Sequence, residues 1–118
     1  MIRRKRMRMR VGELNESGWL EEVSCGSDMD REITGVYCCD LLSIAMGRAP
    51  AGCAWVTVMG NINTLAVAAL TDAACIILAE GASLDEAAAK KAALQDITVF
   101  RTELPVFEAA LAVYEGIK

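Results

Sequence analysis

Three apolar runs, at residues 54–59, 74–79 and 97–100, are separated by stretches of helical pattern, and this alternation constrains the fold more than any other feature of the chain. Each run has the length of a strand, and none alternates with polar residues as a strand with one wet face would. A strand apolar on both faces needs helices above and below it, and consecutive strands joined by helices run parallel. The pattern predicts a three-layer α/β/α architecture built on a mostly parallel sheet of about five strands, with right-handed crossovers.

The remaining punctuation fits that frame. Residues 11–17 form a short amphipathic pattern ended by Gly18, and 19–24 reads as a strand followed by a Gly26-Ser27-Asp28 turn. Residues 33–39, rich in β-branched and aromatic side chains, are a further strand. Asp40 stands where an N-cap for a helix over 41–46 belongs, with Gly47 and Pro50 ending it. Asn61 or Asn63 caps a helix running through Leu70. Ser83 and Glu86 have the spacing of a capping box for a helix over 84–95. Pro105 suits the first turn of a last helix reaching Glu115, and Gly116 is its expected stop. There is no internal repeat, low-complexity segment or interdomain linker.

At 118 residues the chain is expected to be one domain, long enough to fold without a metal or disulfide staple. Its hydrophobic fraction is 54% but aromatic residues are only 5%, so the core is one of packed aliphatics. Asn61, Asn63, Thr64 and Asp72 interrupt the apolar region 52–79, which excludes a transmembrane reading. Charge is unevenly divided. Arg3, Arg4, Lys5, Arg6, Arg8 and Arg10 are half of the twelve basic residues, leaving six against sixteen acids in the rest. Residues 1–8 are therefore set apart as a basic extension, either a true arm or a mistaken translation start, and 9–118 as the domain. The acidic body disfavours nucleic acid. No apolar segment follows the charges, so they do not form a secretory signal. Five cysteines, an odd number, argue against a disulfide framework and for a reducing, cytoplasmic setting.

Asp30-Arg31-Glu32-Ile33-Thr34-Gly35 is followed by Asp40-Leu41-Leu42-Ser43 and then by Trp55-Val56-Thr57-Val58-Met59-Gly60-Asn61-Ile62-Asn63. In this order and spacing the segments resemble the DRTGG domain, a module of HPr kinase/phosphorylase-like proteins and some CBS-domain pyrophosphatases that also occurs alone. Leu65-Ala66-Val67-Ala68, Cys75-Ile76-Ile77-Leu78 and Val99-Phe100-Arg101-Thr102 extend the resemblance over residues 9–116. The motif has Val36 where the family has a second glycine, and Asn61 where a histidine is usual. The resemblance implies an HPr kinase N-terminal-domain-like fold, a homodimer or larger homo-oligomer, and a regulatory role. It implies no kinase activity, because that family's kinase sits in a separate P-loop domain.

In open α/β sheets, ligands lie beyond the carboxyl ends of the strands. The rule collects Cys39-Asp40, Met59-Gly60-Asn61-Ile62-Asn63, Glu80-Gly81 and Arg101-Thr102-Glu103. Asp40, Gly60, Asn61, Asn63 and Thr102 are the candidate contacts for a small anionic or nucleotide-like ligand, and Gly60 permits close backbone approach. Asn61 and Asn63 also read as helix caps. The motif residues Asp30, Arg31, Thr34 and Gly35 read as a strand entry, with Asp30 and Arg31 as a local ion pair. Catalysis is not expected, since histidine and a phosphate loop are both absent from the sequence. No metal or other cofactor is expected. An alternative function rests on Cys38-Cys39, as a thiol-dependent accessory or redox sensor of a hydrogenase-type gene cluster, a setting the resemblance suggests.

Overall fold

A computed structural model describes residues 9–117; the basic extension 1–8 lies outside the described residues. The elements are α1 (Val11–Asn15), β1 (Glu21–Ser24), β2 (Gly35–Cys38), α2 (Leu42–Arg48), β3 (Cys53–Thr57), α3 (Ile62–Thr71), β4 (Cys75–Leu78), α4 (Glu86–Leu94), β5 (Val99–Arg101) and α5 (Val106–Ile117). The five strands form one sheet in the order β1-β5-β4-β3-β2. β2 to β5 run parallel, and β1 lies antiparallel to β5 at one edge. The predicted α/β class and five-stranded, mostly parallel sheet are therefore observed.

The absence of alternation in the apolar runs has its physical reason in the two layers. Every residue of β3 and β4 is buried. Cys53, Trp55, Ile76, Leu78 and Val99 face Ala45 of α2, Leu65 and Ala68 of α3, and Ala88 and Ala92 of α4. Ala54, Val56, Cys75, Ile77 and Phe100 face Val11 and Leu14 of α1 and Ala109, Val113 and Ile117 of α5. Small residues on the helices let them approach closely, and the volume is supplied by the strands.

Boundaries moved where capping chemistry decided them. α4 starts two residues later than expected, because the Asp85 carboxylate, not the Ser83 hydroxyl, accepts from Ala88 N–H at 2.8 Å. Gly116 does not stop α5, which continues to Ile117 because that side chain is buried against the core. Gly47 is likewise inside α2, which ends at Arg48. Among the described residues, no helix is long and apolar enough to cross a membrane.

Candidate functional site

At the carboxyl end of the parallel strands, the structure brings the four predicted loops to one rim and shows how each is held. Asp40 does not cap α2, whose N-cap is Leu41 without a side-chain hydrogen bond. Its Oδ1 instead accepts from the Thr57 hydroxyl at 2.6 Å and the Val58 amide at 2.9 Å. Thr57 is fully buried, so its hydroxyl needs this partner more than a short helix needs a cap. Asn61 is the cap of α3: its Oδ1 accepts from Asn63 N–H at 3.0 Å and Thr64 N–H at 3.1 Å. Asn63 is exposed in the first turn.

Gly60 does make a close approach, but to the chain itself. A Cβ placed there would sit 2.1 Å from the Ser83 carbonyl oxygen and 3.1 Å from the Leu84 Cα. The Gly60 carbonyl also accepts from the Asp85 amide. Thr102 is nearly buried, its hydroxyl accepting from the Leu104 amide at 3.2 Å and its own amide donating to the Leu78 carbonyl. Glu80, in the left-handed region at φ 60°, accepts from the Val106 amide and so caps α5.

Arg101 is the cation of these four loops. Its Nε and Nη2 donate to the Ala82 and Gly81 carbonyls at 3.2 and 2.8 Å, and it pairs with Glu21 at 3.3 Å and Glu103 at 3.0 Å. The guanidinium is mostly sheltered, whereas both carboxylates are largely exposed. Beside it opens a cleft of about 310 Å³ lined by Gly18, Trp19, Leu20, Glu21, Arg101, Thr102 and Glu103. Trp19 and Glu21 join this site because β1 pairs with β5; nothing near them in sequence pointed to a ligand, and only the antiparallel edge strand places them here. Of the five candidate contacts, Thr102 lines this cleft, while Asp40, Gly60, Asn61 and Asn63 belong to the neighbouring loops of the rim.

The motif residues occupy the opposite end. Arg31 does not pair with Asp30; it forms a two-pronged bond to Asp72 at 2.9 and 3.0 Å, donates to the Asp72 carbonyl at 2.8 Å, and lies 3.8 Å from Asp28. Asp72 ends α3 in the left-handed conformation, and its fixed carboxylate offers better geometry than a sequence neighbour. The Asp72 carbonyl accepts from Gly52 N–H, and the Gly52 carbonyl from Thr34 N–H. Gly52 has φ +79°, and a Cβ there would meet Thr34 at 2.8 Å. Arg31, Thr34, Gly52 and Asp72 thus tie together the entries to β2, β3 and β4. Asp30 is exposed, and Gly35 opens β2 with free space where a Cβ would be.

The Arg31 hydrogen bond holds the Asp72 carboxyl below its ordinary range, and the Ser27 hydroxyl and amide do the same for Asp96. A carboxyl depressed in the folded state contributes stability above its unfolded pKa and loses it as pH falls through the folded value. Urea midpoints are therefore expected to be flat near neutrality and to fall below about pH 4, with Asp72→Asn removing part of that slope. A midpoint that rises on acidification would contradict the sign. Because Asp72 is well exposed, the effect is small.

Of the two adjacent thiols, Cys38 is exposed and Cys39 half-buried, its sulfur engaged with Leu41. Burial, then the Asp40 charge, raises the Cys38 pKa, which lowers its thiolate fraction. Burial pushes Cys53 and Cys75 up to about 11 and about 12. Among the described residues, no three His, Cys, Asp or Glu side chains are grouped to hold a metal ion.

No family model matches the chain, and no curated protein matches it. Among solved structures, the fold is similar to the CBS and DRTGG domains of the regulatory region of Clostridium perfringens pyrophosphatase, complexed with its activator diadenosine tetraphosphate. The TM-score is 0.68 at 14% identity, and the match covers 83% of this chain and 43% of that one. At that identity the likeness is one of fold, and the chain spans less than half of the length of the structure it matches.

Proposed function

We propose that the protein is a free-standing, non-catalytic regulatory module of the DRTGG type, which self-associates and binds a nucleotide-like ligand at the carboxyl end of its sheet. The observation that carries this reading is the cleft where Trp19 and Arg101 meet. The part-exposed Trp19 offers a face for a base, and base–aromatic stacking contributes about 1–3 kcal/mol. Arg101 offers a guanidinium whose present partners, Glu21 and Glu103, are exposed carboxylates. Exposed ion pairs are worth only ~0–1 kcal/mol, so a phosphate oxygen replaces one at little cost. Thr102 completes the cleft floor, and the Asp40, Gly60, Asn61 and Asn63 loops extend the rim for a longer ligand. The likeness to a regulatory region that binds diadenosine tetraphosphate points the same way.

Trp55 is buried and Trp19 is not, so ligand-dependent fluorescence reports on the cleft. Titration with diadenosine tetraphosphate, ATP and AMP is expected to give saturable quenching with at least one of them. Trp19→Phe should abolish the signal, and Arg101→Ala should weaken binding by about tenfold or more, the worth of a hydrogen bond to a charged group. No saturable change with any of the three, and no thermal stabilisation, would overturn the reading.

A further inference from the structure

The charge of the cleft beside Trp19 is set by the placement of the main chain. Glu21 lies directly across the β1 and β5 ladder from Arg101, and Glu103 follows Arg101 by two residues. On the guanidinium, Nε and Nη2 donate along one edge to the Ala82 and Gly81 carbonyls. The acids share the other edge, with Nη1 3.3 Å from Glu21 Oε1 and Nη2 3.0 Å from Glu103 Oε2. Since the two carbonyls fix the cation, a ligand meets it at the edge that the carboxylates flank. Among the described residues, those lining the cleft thus set two negative side chains, Glu21 and Glu103, against one positive, Arg101.

We propose that this cleft selects a phosphate carrying a single charge, the bridging phosphate of a cyclic nucleotide or a dinucleotide, over the doubly charged terminal phosphate of a mononucleotide. The inference rests on the nucleotide reading given above and narrows its ligand class. A phosphate monoester carries about −1.5 to −2 charges at neutral pH, whereas a diester has no second acidic hydroxyl and carries one. An incoming oxygen displaces one carboxylate from Arg101, but that side chain stays tethered beside the cleft and keeps its charge. The guanidinium matches the first negative charge of the ligand. A second meets Glu21 and Glu103 with no cation in the cleft to balance it. Both acids are largely exposed, so water and salt weaken the repulsion, and the discrimination is severalfold, not absolute. The cleft volume of about 310 Å³ lies at the small end of ligand sites, ~300–1,000 Å³, which suits one base and its phosphate.

The test follows tryptophan fluorescence while the full chain is titrated, without divalent cations, with AMP, cyclic AMP and adenylyl adenosine, a dinucleoside monophosphate. All three carry adenine, and only the first has a terminal phosphate. Wild type should bind at least one of the diesters about fivefold more tightly than AMP or better, and the tighter diester separates a cyclic from a two-base ligand. Glu21→Gln and Glu103→Gln keep the shape of each side chain and remove its charge, with thermal melts to confirm folding. Each should tighten AMP by about threefold or more and the diesters by less, and the double variant should close the gap. AMP bound as tightly as the diesters by wild type, or a gap that survives the double variant, would overturn the selection and leave the nucleotide reading standing. Saturation with none of the three probes, in wild type or variants, overturns both.

Discussion

Gly60→Val is expected to lower stability by about 3 kcal/mol or more, the upper range for overpacking, and to drop the melting temperature by roughly 10 °C or more. The obstacle is main chain: the added Cβ would lie 2.1 Å from the Ser83 carbonyl oxygen and 2.9 Å from its carbon. No rotamer change relieves such a contact. The 83–84 segment would have to retreat, and with it the hydrogen bond from the Asp85 amide to the Gly60 carbonyl. Gly60→Ala should therefore cost nearly as much as valine, since the first carbon makes the collision. Urea denaturation of both variants decides the matter. An alanine variant within ~0.5 kcal/mol of wild type would show that the two loops are less tightly apposed. Either substitution is unsuited to probing a ligand, because it changes the unliganded protein first.

Trp55→Ala is expected to cost about 3–5 kcal/mol, as large-to-small changes of a buried aromatic do. Trp55 is fully buried at the centre of the α2–α4 layer, and its indole N–H donates to the Cys39 carbonyl at 3.0 Å. That bond fastens β3 to the turn leading into α2, so the substitution both opens a cavity and releases the turn. Trp55→Phe keeps most of the volume and loses the donor; a loss nearer ~1–3 kcal/mol should result. If both variants cost the same, the hydrogen bond and not the packing would dominate. Total stability of a domain is about 5–15 kcal/mol, so the alanine variant should sit close to the limit of folding.

The buried strands were legible because both of their faces are covered, which leaves an uninterrupted apolar run that a one-sided strand cannot have. β1 was legible as a strand but not as the partner of β5: three of its four residues are exposed, and edge strands carry no apolar signature of their neighbour. Trp19 and Glu21 therefore stayed outside the sequence-derived site. Asp40 looked like a helix cap because local spacing cannot reveal Thr57, seventeen residues on, as a buried hydroxyl in need of an acceptor. Arg31 had an acid beside it in sequence, yet its partner is Asp72, 41 residues away, brought near by the end of α3. Ser83 had the spacing of a cap, but residue 83 packs on Gly60 and the Asp85 carboxylate, two residues on, caps the helix instead.

The tie that joins Arg31, Thr34, Gly52 and Asp72 stands at the far end of the sheet from the rim that holds Trp19 and Arg101. Two proteins can share such a fastening as two books share a binding, with different text inside. The residues that stitch the strands at their roots are thus distinct from those that line the rim, and a substitution at one end leaves the hydrogen bonds of the other in place.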